Sequence, residues 1–258
     1  MSYETLTIRE MHDDAVCEVT LNTPPANILT AQMLGEIETC LNIENTKTER
    51  KLIIFKGVGK HFSFGASVEE HQHDQVANML PAFHRVLGKV LSQPIPTLAQ
   101  VTGQCLGGGF ELALVCTFIM ADENARFAVP EIQLGVFPPV AALLLPQLIS
   151  STLANEMVLT GSKYDAKTLN QAGLINNVSV AGALDDDIAT FVEKHILPKS
   201  AHSLRIAHRA ARNSMTAFYN AHIGELENLY LEELMASRDA NEGIAAFLEK
   251  RPVRWANA

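Results

Sequence analysis

The chain has 258 residues, 47% of them hydrophobic and 19% charged, and its 20 Lys+Arg against 29 Asp+Glu give a net charge of −9. At that length a globular chain buries roughly 70–75% of the surface its unfolded form exposes, so it needs neither disulfides nor a metal to hold a core, and the lack of long polar tracts excludes a disordered protein. The acidic balance repels polyanions, which excludes nucleic acid and anionic membrane surfaces as partners unless basic residues cluster, and none do before the C-terminus.

Met1 to Asp14 alternates polar and apolar residues and lacks the basic patch, apolar core and cleavage site of a signal peptide, which points to the cytoplasm. Glu4 to Glu10 and Ala15 to Leu21 alternate in period two around His12-Asp13-Asp14, the pattern of a hairpin of half-buried strands. Thr30 is placed to cap a helix running to about Ile43, in which Met33, Leu34, Ile37 and Leu41 recur at helical spacing. Lys51 to Lys56 reads as a buried strand, Gly57 to Gly65 as a loop, Asp74 to Leu91 as a helix and Thr97 to Val101 as a short strand. Gly107-Gly108-Gly109 then leads into an apolar helical run, Phe110 to Cys116, and Phe127-Ala128-Val129 is strand-like. Repeated strand, loop and helix predict an α/β layered fold. After Ala183 no strand signal remains: Ala183 to Leu197, Ser200 to Met215, Thr216 to Ala236 and Asn241 to Lys250 all read as helices, with Pro198 at the boundary. The expected organisation is an α/β core over residues 1–197 and a helical region over 198–258. That region carries Phe247, Leu248 and Trp255, so it needs something to pack on, either its own core or a neighbouring subunit. No apolar run approaches the ~20 residues that span a bilayer, which excludes a membrane helix.

The glycine triplet lets a ligand approach the backbone, and the helix that follows offers unpaired N–H groups at its positive end, where an oxyanion or a phosphate would be held; the alternative is a loop that merely needs positive φ. Neither it nor Gly57-Val58-Gly59-Lys60 has the spacing of a Walker-type phosphate loop. Glu111 lies one turn past Gly108 on the same helix face, among Phe110, Leu112, Ala113 and Leu114. A carboxylate in such company is costly to bury ionised, its pKa tends upward, and it suits a general acid or base near neutrality, unless an Arg elsewhere pairs with it. Glu131, after Phe127-Ala128-Val129-Pro130, is a second acid in apolar company; were the chain to fold back, the two could divide acid and base roles. The loop Lys60 to Val68 lies between a strand and a helix, where backbone N–H groups commonly face a ligand. His71, His73 and Asp74 invite a metal reading, but the histidines would point to different helix faces with no further ligand nearby, so a solvated loop is expected. Cys17, Cys40, Cys105 and Cys116 are far apart in sequence without a Cys-x-x-Cys pair, and are expected to be reduced, buried thiols rather than a zinc site.

Phe62-Ser63-Phe64-Gly65-Ala66, Gly103 to Glu111 and Pro130-Glu131-Ile132-Gln133-Leu134-Gly135 resemble, in order, three segments of the crotonase (enoyl-CoA hydratase/isomerase) superfamily. The resemblance implies a spiral of ββα repeats with a C-terminal helical trimerisation region, a homotrimer or dimer of trimers, and a coenzyme A thioester as substrate with no metal or redox cofactor. It implies that the N–H groups of Ala66 and Gly108 form an oxyanion hole for the thioester carbonyl, and that Glu111 and Glu131 activate a water and deliver a proton. It also implies that Phe64, Ser67, Val68, Phe247 and Lys250 contact CoA, the alternative for Lys250 being a solvated basic helix end. Two departures stand out: Ser67 replaces a common Asp, and Val136-Phe137-Pro138-Pro139-Val140-Ala141 replaces a common Gly-rich turn. The stiff apolar groups reshape one wall of the acyl pocket and argue against a straight-chain substrate. Phe62 to His71, Gln104 to Gly109 and Leu229 to Ser237 are similar to the branch of hydratases that acts on cyclic dienoyl-CoA thioesters, which implies a hydro-lyase; a generic 2-enoyl-CoA hydratase or an isomerase is the alternative. A non-catalytic homologue that binds CoA or nucleic acid is disfavoured, because both acids are kept and the net charge is −9.

Overall fold

The computed structural model describes residues 3–258; Met1 and Ser2, the start of the alternating N-terminal stretch, lie outside the described residues. β1 (Leu6–Met11) and β2 (Val16–Leu21) form the expected hairpin, with Leu6 opposite Leu21, and turn through His12, Asp13 and Asp14, all at positive φ. Thr30 caps α1 (Ala31–Asn45) by accepting the Met33 N–H at 3.3 Å, and Met33, Leu34, Ile37 and Leu41 are buried as their spacing requires. β3 (Leu52–Gly57), α2 (Val76–Leu91), β4 (Thr97–Val101), β5 (Gln104–Leu106) and α3 (Gly108–Val115) follow. Next come β6 (Phe118–Asp122), β7 (Arg126–Ala128), a 3-10 turn over Pro130–Leu134, α4 (Pro139–Leu148) and α5 (Ser151–Thr160). β8 (Tyr164–Asp165), α6 (Ala166–Gln171) and β9 (Asn177–Ser179) precede α7 (Leu184–Phe191), α8 (Ala201–Asn228) and α9 (Arg238–Leu248). α7 and α8 each run on into a π-helical segment, Val192–Ile196 and Leu229–Leu234.

The large sheet, in the order β1-β2-β3-β4-β6-β9, is parallel except at the hairpin, and a small sheet β5-β7-β8 accompanies it. Parallel strands need cover on both faces. In β3, Ile53 and Phe55 enter the main core with residues of α1 and α2, while Leu52 and Ile54 meet Leu184, Ile188, Val192 and Ile196 on the other side. The units β4-β5-α3 and β6-β7-α4 repeat one pattern: a strand in the large sheet, a strand in the small one, then a helix. This is a mixed α/β fold of ββα repeats, and after β9 the described residues form only helices and their connections.

The helices expected at Ser200 to Met215 and Thr216 to Ala236 are one rod, α8 with its π continuation, because no Gly or Pro interrupts residues 201–223. This region packs on its own chain: Tyr219 and Tyr230 are buried, and Ile244 joins the main core. Trp255 lies against Gly135 and Gly243, where a Cβ would stand 3.0 Å from its ring in each case. No helix among the described residues is long and apolar enough to cross a membrane.

Cys17 and Cys40, distant in sequence, meet in the core beside Glu44, with their sulfurs and a carboxylate oxygen within 4.8 Å of one another. Glu44 Oε1 is held by Lys47 Nζ at 2.9 Å and Oε2 by the fully buried Arg50, which also pairs with Glu10. With both oxygens taken, the trio offers a cation no free carboxylate.

Candidate active site

β5 and β7 lie side by side in parallel, Leu106 opposite Ala128, so the chain leaves both strands at the same edge. From β5 it turns through Gly107 into α3; from β7 it enters the Pro130–Leu134 turn. Gly107 has φ 49° and ψ −129°, and its N–H donates to Ala128 O at 2.9 Å. A Cβ there would lie 2.4 Å from Glu131 Oε1, so glycine is what lets the Glu131 carboxyl rest against the start of α3. Gly109 serves a close approach instead: a Cβ would stand 2.6 Å from the Ser63 Cβ. The positive φ expected of the triplet is thus found at Gly107, while the packing of Gly109 on Ser63 was not among the expectations.

Ser63 pins the neighbouring loop, its Oγ donating to Asn27 O at 2.7 Å and accepting the Gly65 N–H at 3.1 Å. Ala66 N comes within 3.0 Å of the place a Cβ on Gly108 would occupy. Ala66 and Gly108 both line a cavity of about 620 Å³, and neither N–H has an acceptor among the described residues. For Gly108 the reason is general, since the first N–H groups of a helix have no intrahelical acceptor.

Glu111, only 3% exposed, projects into the same cavity and accepts the Ala141 N–H on Oε1 at 2.9 Å. That donor belongs to the first turn of α4, which begins at Pro139, where a missing N–H costs nothing. The segment expected only as a stiff apolar wall therefore also supplies the bond that fixes Glu111. No Lys or Arg among the described residues lines the cavity, so the Arg-paired alternative for Glu111 does not hold. Burial pushes the Glu111 carboxyl above the usual carboxylate range, against the pull of the Ala141 N–H and of His84. At Glu131 burial, and then the charge of Glu111, push the carboxyl up to about 8. Glu131 as a residue is half-buried because part of it borders the cavity, yet its Oε2 is closed off from solvent without a hydrogen-bond partner. Two such acids, both raised by burial, disfavour being ionised together, so they titrate as a pair.

Phe64, Ser67 and Val68 line the cavity, as does the half-exposed Phe247 of α9. Lys250 does not: it is exposed beyond α9 at φ 54°. His73 is exposed, but His71 departs from the expected solvated loop. A 3-10 turn over Glu69–His71 sets its ring in the cavity wall with Nδ1 2.7 Å from Ser67 O, and burial holds its pKa below the usual histidine value. Sequence reasoning also missed His84 and Tyr230. His84 falls on the buried face of α2, beside Phe83, a polar residue in an apolar stripe that could have drawn notice. Tyr230 sits in the π segment with its ring 5.4 Å from that of Phe137 and its hydroxyl buried without a partner. No sequence signal marks that local change of helix type.

A spiral of ββα units that sets two free backbone N–H groups beside two buried carboxyls is suited to take a carbonyl oxygen and move protons next to it. The model of the enoyl-CoA hydratase/isomerase family matches residues 11–258, and the chain belongs to this family of enzymes. The chain is 39% identical to the cyclohexa-1,5-dienecarbonyl-CoA hydratase of Thauera aromatica over 95% of this chain and 94% of that protein. It is 32% identical to the 2,3-dehydroadipyl-CoA hydratase of Escherichia coli over 90% of this chain and 92% of that protein. In fold it matches an enoyl-CoA hydratase from Mycobacterium avium subsp. paratuberculosis with a TM-score of 0.86, at 24% identity, over 99% of this chain and 100% of that one.

Proposed function

We propose that the protein is a hydro-lyase that adds water to a cyclic dienoyl-CoA, converting cyclohexa-1,5-diene-1-carbonyl-CoA to 6-hydroxycyclohex-1-ene-1-carbonyl-CoA, as a cytoplasmic step of anaerobic aromatic (benzoyl-CoA) breakdown. The observation that carries this reading is the asymmetric pair: Glu111 anchored by a helix N–H at 2.9 Å, and Glu131 with a buried oxygen that has no partner. The thioester carbonyl oxygen takes the N–H groups of Ala66 and Gly108, each worth about 3–4 kcal/mol as charge develops there. Ionised Glu111 removes a proton from water, and the hydroxyl adds at the ring carbon β to the thioester. Negative charge passes through the enolate onto the conjugated alkene, and protonated Glu131 returns a proton at its far end. One O–H bond breaks while a C–O and a C–H bond form, so acid–base groups suffice and no cofactor is called upon.

The cyclic substrate is supported by the 39% identity to a dienoyl-CoA hydratase and by the cavity wall, where Phe83, Val136, Phe137, Pro138 and Pro139 present rigid apolar groups. Phe64, Ser67, Val68 and Phe247 line the cavity and are the proposed contacts of the CoA arm, and the exposed Lys250, beyond the end of α9, is the proposed contact of a CoA phosphate. A homotrimer or dimer of trimers completes the proposal, and its mass in solution checks that part. The deciding experiment is turnover of a panel of linear and cyclic enoyl-CoA thioesters in heavy water. The proposal expects hydration of the cyclic diene with deuterium at the far end of the conjugated system. Turnover of crotonyl-CoA with deuterium at the carbon α to the thioester would instead make the protein a generic 2-enoyl-CoA hydratase.

A further inference from the structure

His71 and Tyr230 have no place in the mechanism above, yet both are built into the cavity wall. His71 Nδ1 lies 2.7 Å from Ser67 O, and a carbonyl oxygen only accepts, so Nδ1 carries the proton. Burial keeps the ring neutral, which leaves Nε2 as an acceptor with no partner among the described residues. Tyr230 is 1% exposed, and its hydroxyl is buried without a partner. The Met235 N–H donates to Tyr230 O at 2.9 Å, five residues back, which is the bond of a π turn, and such turns are frequent at functional sites. The centre of the Tyr230 ring stands 6.5 Å from that of His71 and 5.4 Å from that of Phe137. An unused acceptor and an unused donor are thus neighbours in a wall whose adjoining side, Val136 to Pro139, is apolar.

We propose that His71 and Tyr230 form a hydroxyl-binding subsite for the acyl group, in which the alcohol installed by hydration donates to His71 Nε2 and accepts from the Tyr230 hydroxyl. The proposal rests on the hydratase reading. A buried donor left without a partner is costly, so a phenol kept in that state fits a ligand that brings the missing oxygen. The thioester carbonyl is assigned to Ala66 and Gly108, and the diene ring has no polar atom of its own. The product hydroxyl is therefore the one group of the acyl portion that donates and accepts at once, and the pair offers it one bond of each kind. A site built to bond a hydroxyl rejects the analogue that lacks it far more strongly than an apolar pocket discriminates by size. Neither residue moves a proton in this scheme; both set which acyl groups are held.

Calorimetric binding of cyclohexanecarbonyl-CoA and of each diastereomer of 2-hydroxycyclohexanecarbonyl-CoA to the full-length protein reads the subsite without turnover. These saturated rings have no conjugated alkene through which the proposed reaction runs in reverse. The wild type should bind the better hydroxylated diastereomer about 10- to 30-fold more tightly than the thioester without the hydroxyl. Tyr230→Phe removes only an oxygen that has no partner in the protein, so it should cut that preference at least about 5-fold with thermal stability unchanged or higher. His71→Phe keeps a ring in the wall and should cut the preference as well. A structural role for the phenol would lower thermal stability in Tyr230→Phe and leave the preference in place. Equal binding of the thioesters by the wild type, or an undiminished preference in folded Tyr230→Phe, overturns the proposal, while turnover of the enoyl-CoA panel still decides the hydratase reading by itself. Binding of none of these thioesters overturns both.

Discussion

Glu44, fully buried, and Glu131, with one oxygen closed off from solvent, are the same side chain, and their surroundings give them opposite properties. Glu44 is gripped by Lys47 at 2.9 Å and by the buried Arg50, in a network that extends to Glu10. Glu131 has apolar walls, a second acid nearby, and an oxygen that nothing bonds. A buried carboxylate supplied with cations is a fixed part of the framework, because removing either partner strands a charge. A buried carboxyl denied cations keeps its proton and can lend it. Gly107 and the α4 N-terminus do the denying, since they seat the two acids against backbone rather than against Lys or Arg.

The comparison breaks most visibly in rate. Glu111→Gln and Glu131→Gln should each lower kcat by roughly 10²- to 10⁴-fold with the fold intact, as measured by steady-state turnover beside circular dichroism. If either keeps near-normal turnover, that glutamate is structural. Glu44→Ala should do the reverse: a stability loss of about 3–5 kcal/mol in urea unfolding, with kcat of the folded fraction unchanged.

A smaller effect is the opposite slope of stability with pH. At Glu10 the cost of burial is outweighed by bonds from Lys47 and Arg50, which hold its carboxyl below the usual range. Its contribution is therefore present above the unfolded pKa and lost as pH falls through the folded one. At Glu131 the folded pKa is raised to about 8, so its contribution is complete below the unfolded pKa and lost as pH rises toward 8. Glu131→Gln, neutral throughout, should gain on the wild type in unfolding midpoint as pH rises from about 5 toward 8. A constant difference across that window would contradict the raised pKa. The smallest expected effect is at Lys250: replacement by Ala should raise KM for a CoA thioester by about 2- to 5-fold at low salt, less at high salt, with kcat unchanged.

Much of this was legible from local pattern. The hairpin, α1 with its Thr30 cap, β3 and β4 follow from period and capping, which are properties of adjacent residues. Glu111 and Glu131 stood out as acids in apolar runs, but their meeting depends on β5 lying beside β7, a pairing between short strands that no local signal announces. His71 was misplaced because a single 3-10 turn decides whether it faces water or cavity. The anchoring of Glu111 by Ala141 was hidden for the same reason: it comes from a backbone N–H, which every residue but proline carries, and only the fold selects one. The break expected after Met215 is absent since uninterrupted helical periodicity gives no boundary to read.

The account turns on a carboxyl that stays protonated where an ordinary glutamate is ionised. Infrared difference spectroscopy of the full-length protein between pH 6 and 9 reads this directly through the C=O stretch of a protonated carboxyl. A band that persists at pH 7, fades toward the alkaline end and is missing from Glu131→Gln is the predicted result. Full ionisation of every carboxyl by pH 6 would contradict it.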